Sequence, residues 1–190
     1  QSPKQCWPSH CSIIVCVSRL AVQRLKPPHP QLGSAPAHWP DRMSDVQVDD
    51  MAPSLARIVD AVKSAEADER ALDVVGGGTK SFLASGVPGE RLSTVDHCGI
   101  VSYEPTELVI TARAGTLLTD IDAALNERGQ MLGFEPPRFG AASTIGGVIG
   151  AGLSGPARPY RGSARDFVLG VELINGHGQV LKFGGQVMKN

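Results

Sequence analysis

The chain has no excess of charge of either sign and no long hydrophobic run. Its 190 residues carry 18 basic and 19 acidic side chains, a formal net charge of −1. This balance gives no electrostatic case for binding nucleic acid or an anionic membrane. The apolar run from Cys11 to Val22 (CSIIVCVSRLAV) is too short to span a bilayer and is interrupted by Arg19. No clear small-residue cleavage site follows it, which argues against a signal peptide.

Cysteine is scarce as well. Three of the four cysteines lie five residues apart near the start of the chain, and Cys98 lies alone; the three are Cys6, Cys11 and Cys16. That spacing matches neither zinc sites nor the common iron–sulfur patterns. The sequence therefore predicts unpaired thiols, a reducing compartment and no metal site.

Residues 1–42 differ in composition from the rest of the chain. They hold seven of the 14 prolines, both tryptophans, one glycine and one acidic residue. The stretch KPPHPQLGSAPAHWP is typical of an extended proline-rich segment, and Met43 is a plausible start of the natural protein. We therefore predict that 1–42 is a non-native or disordered extension and that the folded domain spans 43–190. Because the chain stops at Asn190 directly after a strand-like run, we expect this domain to be incomplete at its carboxyl end.

Periodicity predicts both helices and strands after residue 43. Apolar residues at helical spacing predict a helix over Pro53–Ala67. A second helix should follow Thr116 or Thr119 as its cap and end at Gly129. Short strands are predicted at 71–75, 91–95, 108–114, 168–174 and 179–183, the last two joined by an Asn-Gly-His-Gly turn. The mixture predicts an α/β or α+β fold.

A first glycine segment follows the strand at 71–75 and reads GGGTKS, from Gly76 to Ser81. It is not a P-loop, because Thr79 stands where that motif needs a glycine before the lysine. Two interpretations remain. The segment is either a plain strand-to-helix turn, or a loop whose backbone N–H groups contact a pyrophosphate.

A second glycine segment lies between Gly140 and Gly155 and contains six glycines, with Ser143 and Thr144 just before the first glycine pair. Its end, GAGLSG, is a literal G-x-G-x-x-G, and Glu172 lies about where a ribose-binding acid would stand. The context does not fit a Rossmann fold. Pro156 and the proline three residues later prevent this motif from opening a helix, and TIGGVI is a poor parallel strand. Both glycine segments therefore favour one shared, extended cofactor.

The combined pattern resembles a known flavoprotein family. A strand, GGGTKS, STIGG and a strand in RGSARDFVLG resemble the FAD-binding domain of the p-cresol methylhydroxylase / vanillyl-alcohol oxidase superfamily. EPTELVITARAGT, GQMLGFEPPRFG and GLSGPARPYRGSARDFVLG further resemble the FAD-binding (E) subunits of bacterial glycolate oxidases. The resemblance covers about Leu55 to Asn190. It implies an α+β, PCMH-type domain of two α/β subdomains with the cofactor between them, truncated at its carboxyl end.

The resemblance also implies a set of FAD-binding residues from four stretches of the chain. They are Gly76, Gly77, Gly78, Thr79 and Lys80; Pro137, Ser143, Thr144, Ile145, Gly146 and Gly147; Gly152, Ser154 and Gly155; and Arg161, Gly162, Asp166 and Val168. Two of these have plainer interpretations. Lys80 could be a solvated cation at the start of a helix, and Asp166 could form a structural ion pair with Arg165.

The function implied by the resemblance is FAD-dependent oxidation of a small 2-hydroxy acid such as glycolate. A hydride passes to the flavin, and electrons pass onward through a complex with a sister FAD subunit and an iron–sulfur subunit, in the cytoplasm or at the inner membrane. Catalytic residues are not assigned. The alternatives are a non-catalytic FAD-binding structural or assembly subunit, an inactive fragment, or a reductase that binds NAD.

The glycine segments contain no residue of the kind that attaches FAD covalently in many members of the superfamily. Those attachments use His or Cys, whereas His97 precedes a loop and His177 lies at a hairpin tip. We therefore expect FAD to bind without a covalent bond.

Overall fold

The computed structural model describes residues 14–24, 52–83 and 88–184, with the backbone alone for residues 14–19. The strands are β1 (Ile14–Arg24), β2 (Leu72–Val75), β3 (Glu90–Ser93), β4 (Ile100–Glu104), β5 (Val109–Arg113), β6 (Gln130–Leu132), β7 (Val168–Ile174) and β8 (Val180–Gly184). The helices are α1 (Pro53–Ala67), α2 (Leu118–Asn126), α3 (Ile145–Ala151), α4 (Arg158–Arg161) and α5 (Ala164–Phe167), with a 3-10 turn at Ser81–Leu83. Mixed helices and strands confirm the α+β prediction.

The first packing unit consists of α1 and the parallel pair β2–β3. Helix α1 has the predicted bounds and begins with proline in its first turn, where no backbone N–H is needed. Its apolar stripe is buried against Leu92 of β3 and Ile174 of β7; the stripe residues are Leu55, Ile58, Val59 and Val62. The first glycine segment thus leaves a strand whose position is set by this helix.

The second packing unit is a sheet in the order β4-β5-β1-β7-β8, with β6 paired to β1. Strands β4, β5, β1, β7 and β8 pair antiparallel with their neighbours along this order. Helices α2 and α3 pack on the sheet through buried side chains that include Leu118, Ile121, Ile145 and Val148. The predicted hairpin around the Asn-Gly-His-Gly turn is present as β7–β8.

Strand β1 corrects the prediction that residues 1–42 lie outside the folded part. Ile14–Arg24 lies between β5 and β7, and Leu20 and Val22 are buried in the core beneath α2 and α3. The sequence argues against a membrane span and a signal peptide for this apolar run, but it does not predict a strand there. It satisfies the backbone groups that β5 and β7 would otherwise leave unpaired along their facing edges. The remainder of 1–42, with Met43, lies outside the described residues.

Two local predictions concern the cap of α2 and the literal G-x-G-x-x-G motif. The cap of α2 is Leu117, with no side-chain hydrogen bond, so the prediction of Thr116 or Thr119 is wrong. Thr116 Oγ1 instead donates to the Arg113 carbonyl at 2.6 Å and accepts from the Gly99 N–H at 2.9 Å. Gly150 and Gly152 of the literal G-x-G-x-x-G lie at the carboxyl end of α3, so the motif opens no Rossmann-type helix.

No helix in the described parts of the chain has the length and hydropathy needed to cross a membrane.

Candidate cofactor site

The two glycine segments, 63 residues apart at Lys80 and Ser143, are in direct contact. A Cβ placed on Gly77 would lie 1.5 Å from the carbonyl oxygen of Ala142. A Cβ on Gly76 would lie 2.7 Å from Oγ1 of Thr144. Real Cβ atoms do not approach other atoms so closely, so glycine at these two positions lets the backbones of the two segments pack together. The juxtaposition expected from the sequence is present.

A cavity of about 650 Å³ lies along this junction. Its walls come from β2, the first glycine segment, β3, and the turn and helix of the second segment. Of the predicted site residues, eight line it: Gly76, Gly77, Gly78, Thr79, Lys80, Thr144, Gly146 and Gly147. Sites for small organic ligands typically have volumes of roughly 300–1,000 Å³, so the cavity is large enough for a cofactor.

Two glycines that line this cavity have no protein atom close to where a Cβ would stand. Gly150 lies inside α3, and no heavy atom is found within 4 Å of a Cβ built on it. Gly78 is equally open, although its φ of 69° itself favours glycine. Glycine in a helix interior costs up to about 1 kcal/mol relative to alanine, and less near a helix end such as this one. The missing side chain at position 150 therefore leaves room for a ligand at the surface of the helix.

Lys80 connects the two segments electrostatically. Its Nζ donates to Oγ of the buried Ser143 at 3.1 Å and lies 6.0 Å from the centroid of the Phe139 ring. Partial burial lowers the pKa of this amine from its ordinary value. Lys80 reaches across to the second segment and lines the cavity, which is not what a purely solvated helix-start cation would do.

The turn Ser143–Gly146 is held by the segment between β5 and α2. The N–H groups of Ile145 and Gly146 donate to the carbonyls of Thr116 and Ala114, both at 2.9 Å. These two N–H groups are therefore already used within the protein. Ile145 is fully buried and serves packing, whereas Thr144 Oγ1 accepts from the Gly147 N–H at 3.3 Å and lines the cavity.

A second cavity, of about 500 Å³, is lined by three predicted residues that do not line the first: Pro137, Gly155 and Arg161. Glu135 lines it too and forms hydrogen bonds between its two walls. The Glu135 carbonyl accepts from the Gly155 N–H at 2.8 Å, and its carboxylate accepts from the Ala157 N–H at 2.7 Å. Sequence analysis missed Glu135, and its place directly before two prolines and the glycine segment was the only available signal.

Ser154 has a buried polar atom but lines neither cavity. Its Oγ is inaccessible to solvent and has no hydrogen-bond partner among the described residues. Leaving a buried hydroxyl unpaired costs about 1–3 kcal/mol. Contact of Ser154 with a cofactor stays a prediction.

The stretch from Gly162 to Val168 does not line the first cavity, and its polar contacts are local. Asp166 Oδ2 accepts from the N–H and the hydroxyl of Ser163 at 2.8 and 2.7 Å, closing a capping box on α5. These hydrogen bonds, the backbone one first, lower the pKa of Asp166. Arg165 Nε lies 3.8 Å from Oδ1 of Asp166. Asp166 thus has a structural role in the chain, and contact of this stretch with a cofactor stays a prediction.

Neither histidine singled out in the sequence lines the first cavity. His97 is buried, with Nδ1 2.9 Å from Oγ of Ser54 at the start of α1. His177 contacts Glu66 of α1 through Nδ1, which joins the tip of the β7–β8 hairpin to the first packing unit.

The chain is similar to flavoproteins. Residues 51–184 match the FAD binding domain family. The chain is 51% identical over 133 residues to the glycolate oxidase subunit GlcE of Escherichia coli, covering 70% of this chain and 38% of that protein. It is 29% identical over 133 residues to D-lactate dehydrogenase of Archaeoglobus fulgidus, covering 65% and 28%. It is 28% identical over 91 residues to the glycolate oxidase subunit GlcD of Bacillus subtilis, covering 48% and 19%.

The chain thus spans less than two fifths of the length of each of these relatives. The residues that line the first cavity fit FAD, because a diphosphate needs close backbone approach and a cation. The open face of α3 and Lys80 meet those needs. Since the family match covers most of the sequence, the chain belongs to the FAD binding domain family, and its cofactor is FAD.

Proposed function

We propose that this chain is the FAD-binding part of an oxidoreductase that oxidises a 2-hydroxy acid, with glycolate as its substrate. The observation that carries the proposal is the direct contact between the two glycine segments, in a chain 51% identical to a glycolate oxidase subunit over 133 residues. The similarity to a D-lactate dehydrogenase supports the same class of substrate, since lactate is also a 2-hydroxy acid.

In this proposal the junction of the two segments would hold FAD. Gly78 and Gly150 would leave room for it, and the Lys80 amine, which now donates to the Ser143 hydroxyl, would bind its diphosphate. FAD would supply the acceptor of hydride and electrons that the side chains of the protein lack. FAD is held without a covalent bond, so acid precipitation of the protein should leave the flavin in solution; a flavin that precipitates with the protein contradicts this part.

We further propose that the chain works within a complex. Its relatives GlcE and GlcD are both named as subunits of glycolate oxidase, which supports an assembly with a sister FAD subunit. An iron–sulfur subunit would carry electrons onward, in the cytoplasm or at the inner face of the membrane. Co-purification of the tagged chain with a second flavoprotein and an iron–sulfur protein from its own cell tests the assembly.

The test of the function is anaerobic reduction of the flavin. Purified chain, alone and with its co-purifying subunits, is mixed with glycolate, and with acetate as a control that lacks the hydroxyl. Loss of the flavin absorption band with glycolate and not with acetate supports the proposal. A yellow protein that neither glycolate nor lactate reduces, in the complex as well as alone, would instead indicate a structural or electron-relay role.

A further inference from the structure

Two exposed aromatic side chains meet beside the first cavity, whose lining includes Ser81 and Leu83 on either side of Phe82 but neither ring. Phe82 follows the first glycine segment, and Phe139 directly precedes Gly140 of the second. Their ring centroids are 5.0 Å apart at an interplanar angle of 72°, an edge-to-face arrangement. The rings therefore pair across the junction of the two segments and form one aromatic surface.

This pair is not a piece of core. Phe82 is 63% exposed and Phe139 is 52% exposed. The neighbouring Leu83, which lines the cleft cavity, is 51% exposed as well. Leaving such rings in water forfeits roughly 25 cal/mol for each Å² of apolar surface that could be buried. Unlike the equally exposed Phe183 on β8, these two rings pair with each other next to residues that line the cavity, which indicates that something covers them.

The charge beside the rings indicates what covers them. Lys80 Nζ lies 6.0 Å from the centroid of the Phe139 ring, and the same amine donates to the Ser143 hydroxyl. A cation next to an open aromatic surface complements a molecule that joins phosphate groups to a flat ring system. A nucleotide has this chemistry, and an apolar peptide does not.

We propose that Phe82 and Phe139 form a ring-binding subsite that stacks against one of the two ring systems of FAD, the flavin or the adenine. This inference rests on the proposed position of FAD along the two glycine segments. It assigns a role to two residues outside the glycine motifs. Because each segment supplies one ring, the affinity for FAD would also depend on the distance between the two segments.

The test is a set of titrations on the full chain with FAD, FMN and ADP, which separate the two ring systems. Alanine substitution of an aromatic that stacks on a base costs roughly five- to a hundred-fold in affinity. If the flavin lies on the pair, Phe139→Ala weakens FAD and FMN and leaves ADP unchanged. If the adenine lies there, the same substitution weakens FAD and ADP and leaves FMN unchanged. Phe82→Ala should reproduce whichever pattern is found.

Two further variants keep the result interpretable. Phe139→Leu retains an apolar side chain without the ring and should bind as weakly as the alanine variant, while Phe139→Tyr should restore affinity. Phe183→Ala is the matched control, since Phe183 is 55% exposed on β8, a strand that contributes no residue to the lining of the first cavity. Wild-type affinity for all three ligands in Phe82→Ala and Phe139→Leu overturns the subsite while leaving the proposed function intact. Failure of the wild-type chain to bind any of the three overturns both.

Discussion

At the scale of single residues, the glycines of the two segments fall into two groups. Gly76, Gly77 and Gly146 are glycine because protein atoms stand where a Cβ would be; for Gly146 the nearest is the Cβ of Ala114 at 2.6 Å. Gly78 and Gly150 have no such neighbour and border the cavity. The first group lets the protein segments approach each other, and the second group lets a ligand approach the protein.

The second group makes a prediction with two opposite effects. Gly150→Ala should raise the free energy of unfolding of the FAD-free protein by up to about 1 kcal/mol, because alanine is the better helix former. The same substitution should weaken FAD binding, since the new methyl group enters the cavity. Thermal unfolding without FAD and an FAD titration measure the two effects. Gly176→Ala, at an equally open position in the hairpin turn, is the control; unchanged FAD affinity in Gly150→Ala would place the cofactor elsewhere.

Glu135 should act as a positioning residue through its two hydrogen bonds to the turn at Gly155–Ala157. Glu135→Ala removes the carboxylate acceptor and should weaken FAD binding several-fold, on the basis that one such bond contributes about 0.5–1.5 kcal/mol. Glu135→Gln retains an acceptor oxygen and should restore most of the affinity. FAD titrations of both variants check this. If glutamine is as harmful as alanine, the charge matters and not the position of the turn.

Asp166 should make stability depend on pH. Its carboxylate accepts from the Ser163 N–H and hydroxyl, which lower its pKa below the unfolded value of about 3.9. A carboxyl with a lowered folded-state pKa stabilises the protein above the unfolded pKa, and the stabilisation is lost as the pH falls through the folded pKa. The difference in unfolding free energy between wild type and Asp166→Asn should therefore be constant from neutral pH down to about pH 5 and shrink below it. Denaturant unfolding at several pH values measures it; a difference that grows in acid contradicts the capping role.

At the scale of elements, β1 is the strand on which the second packing unit depends. Leu20 is fully buried among side chains that include Ile145 and Val148 of α3, the helix that carries the second glycine segment. Leu20→Ala should lower the free energy of unfolding by about 2–5 kcal/mol, as for other buried leucines. Gln23→Ala, at an exposed position of the same strand, should change it by less than about 0.5 kcal/mol. Equal denaturant midpoints for the two variants would contradict the placement of β1 in the sheet.

Sequence predicted the long, one-sided helix α1 and several short strands, among them β2 and β3, but not β4 or β6. Helix α1 repeats apolar residues over fifteen positions, and its bounds follow from that repeat. Strand β6 has only three residues, too few for a period to be visible, and it was missed. The prediction of the α2 cap was wrong for another reason. Thr116 instead bonds locally to the Arg113 carbonyl and across the fold to the Gly99 turn, 17 residues away, which the local sequence does not reveal.

At the scale of the whole molecule, the family match and the sheet do not have the same limits. The match begins at residue 51, whereas β1, at the centre of the sheet, precedes it. The first cavity is lined entirely by residues within the family match, from β2 to α3. Resemblance predicted that its two glycine segments serve one cofactor. Sequence alone could not show which glycines touch protein and which face the cavity, because the deciding neighbours are distant in sequence, such as Ala142 for Gly77 and Ala114 for Gly146.

The central claim is that the two glycine segments form one FAD site by packing against each other, and an FAD titration of Gly77→Ala beside wild type tests it most directly. A methyl group on Gly77 would collide with the Ala142 carbonyl and force the segments apart. We expect wild type to bind one FAD per chain, and Gly77→Ala, still folded by circular dichroism, to bind at least about tenfold more weakly, a loss of about 1.4 kcal/mol. Equal affinity and stoichiometry in the two proteins would contradict the account.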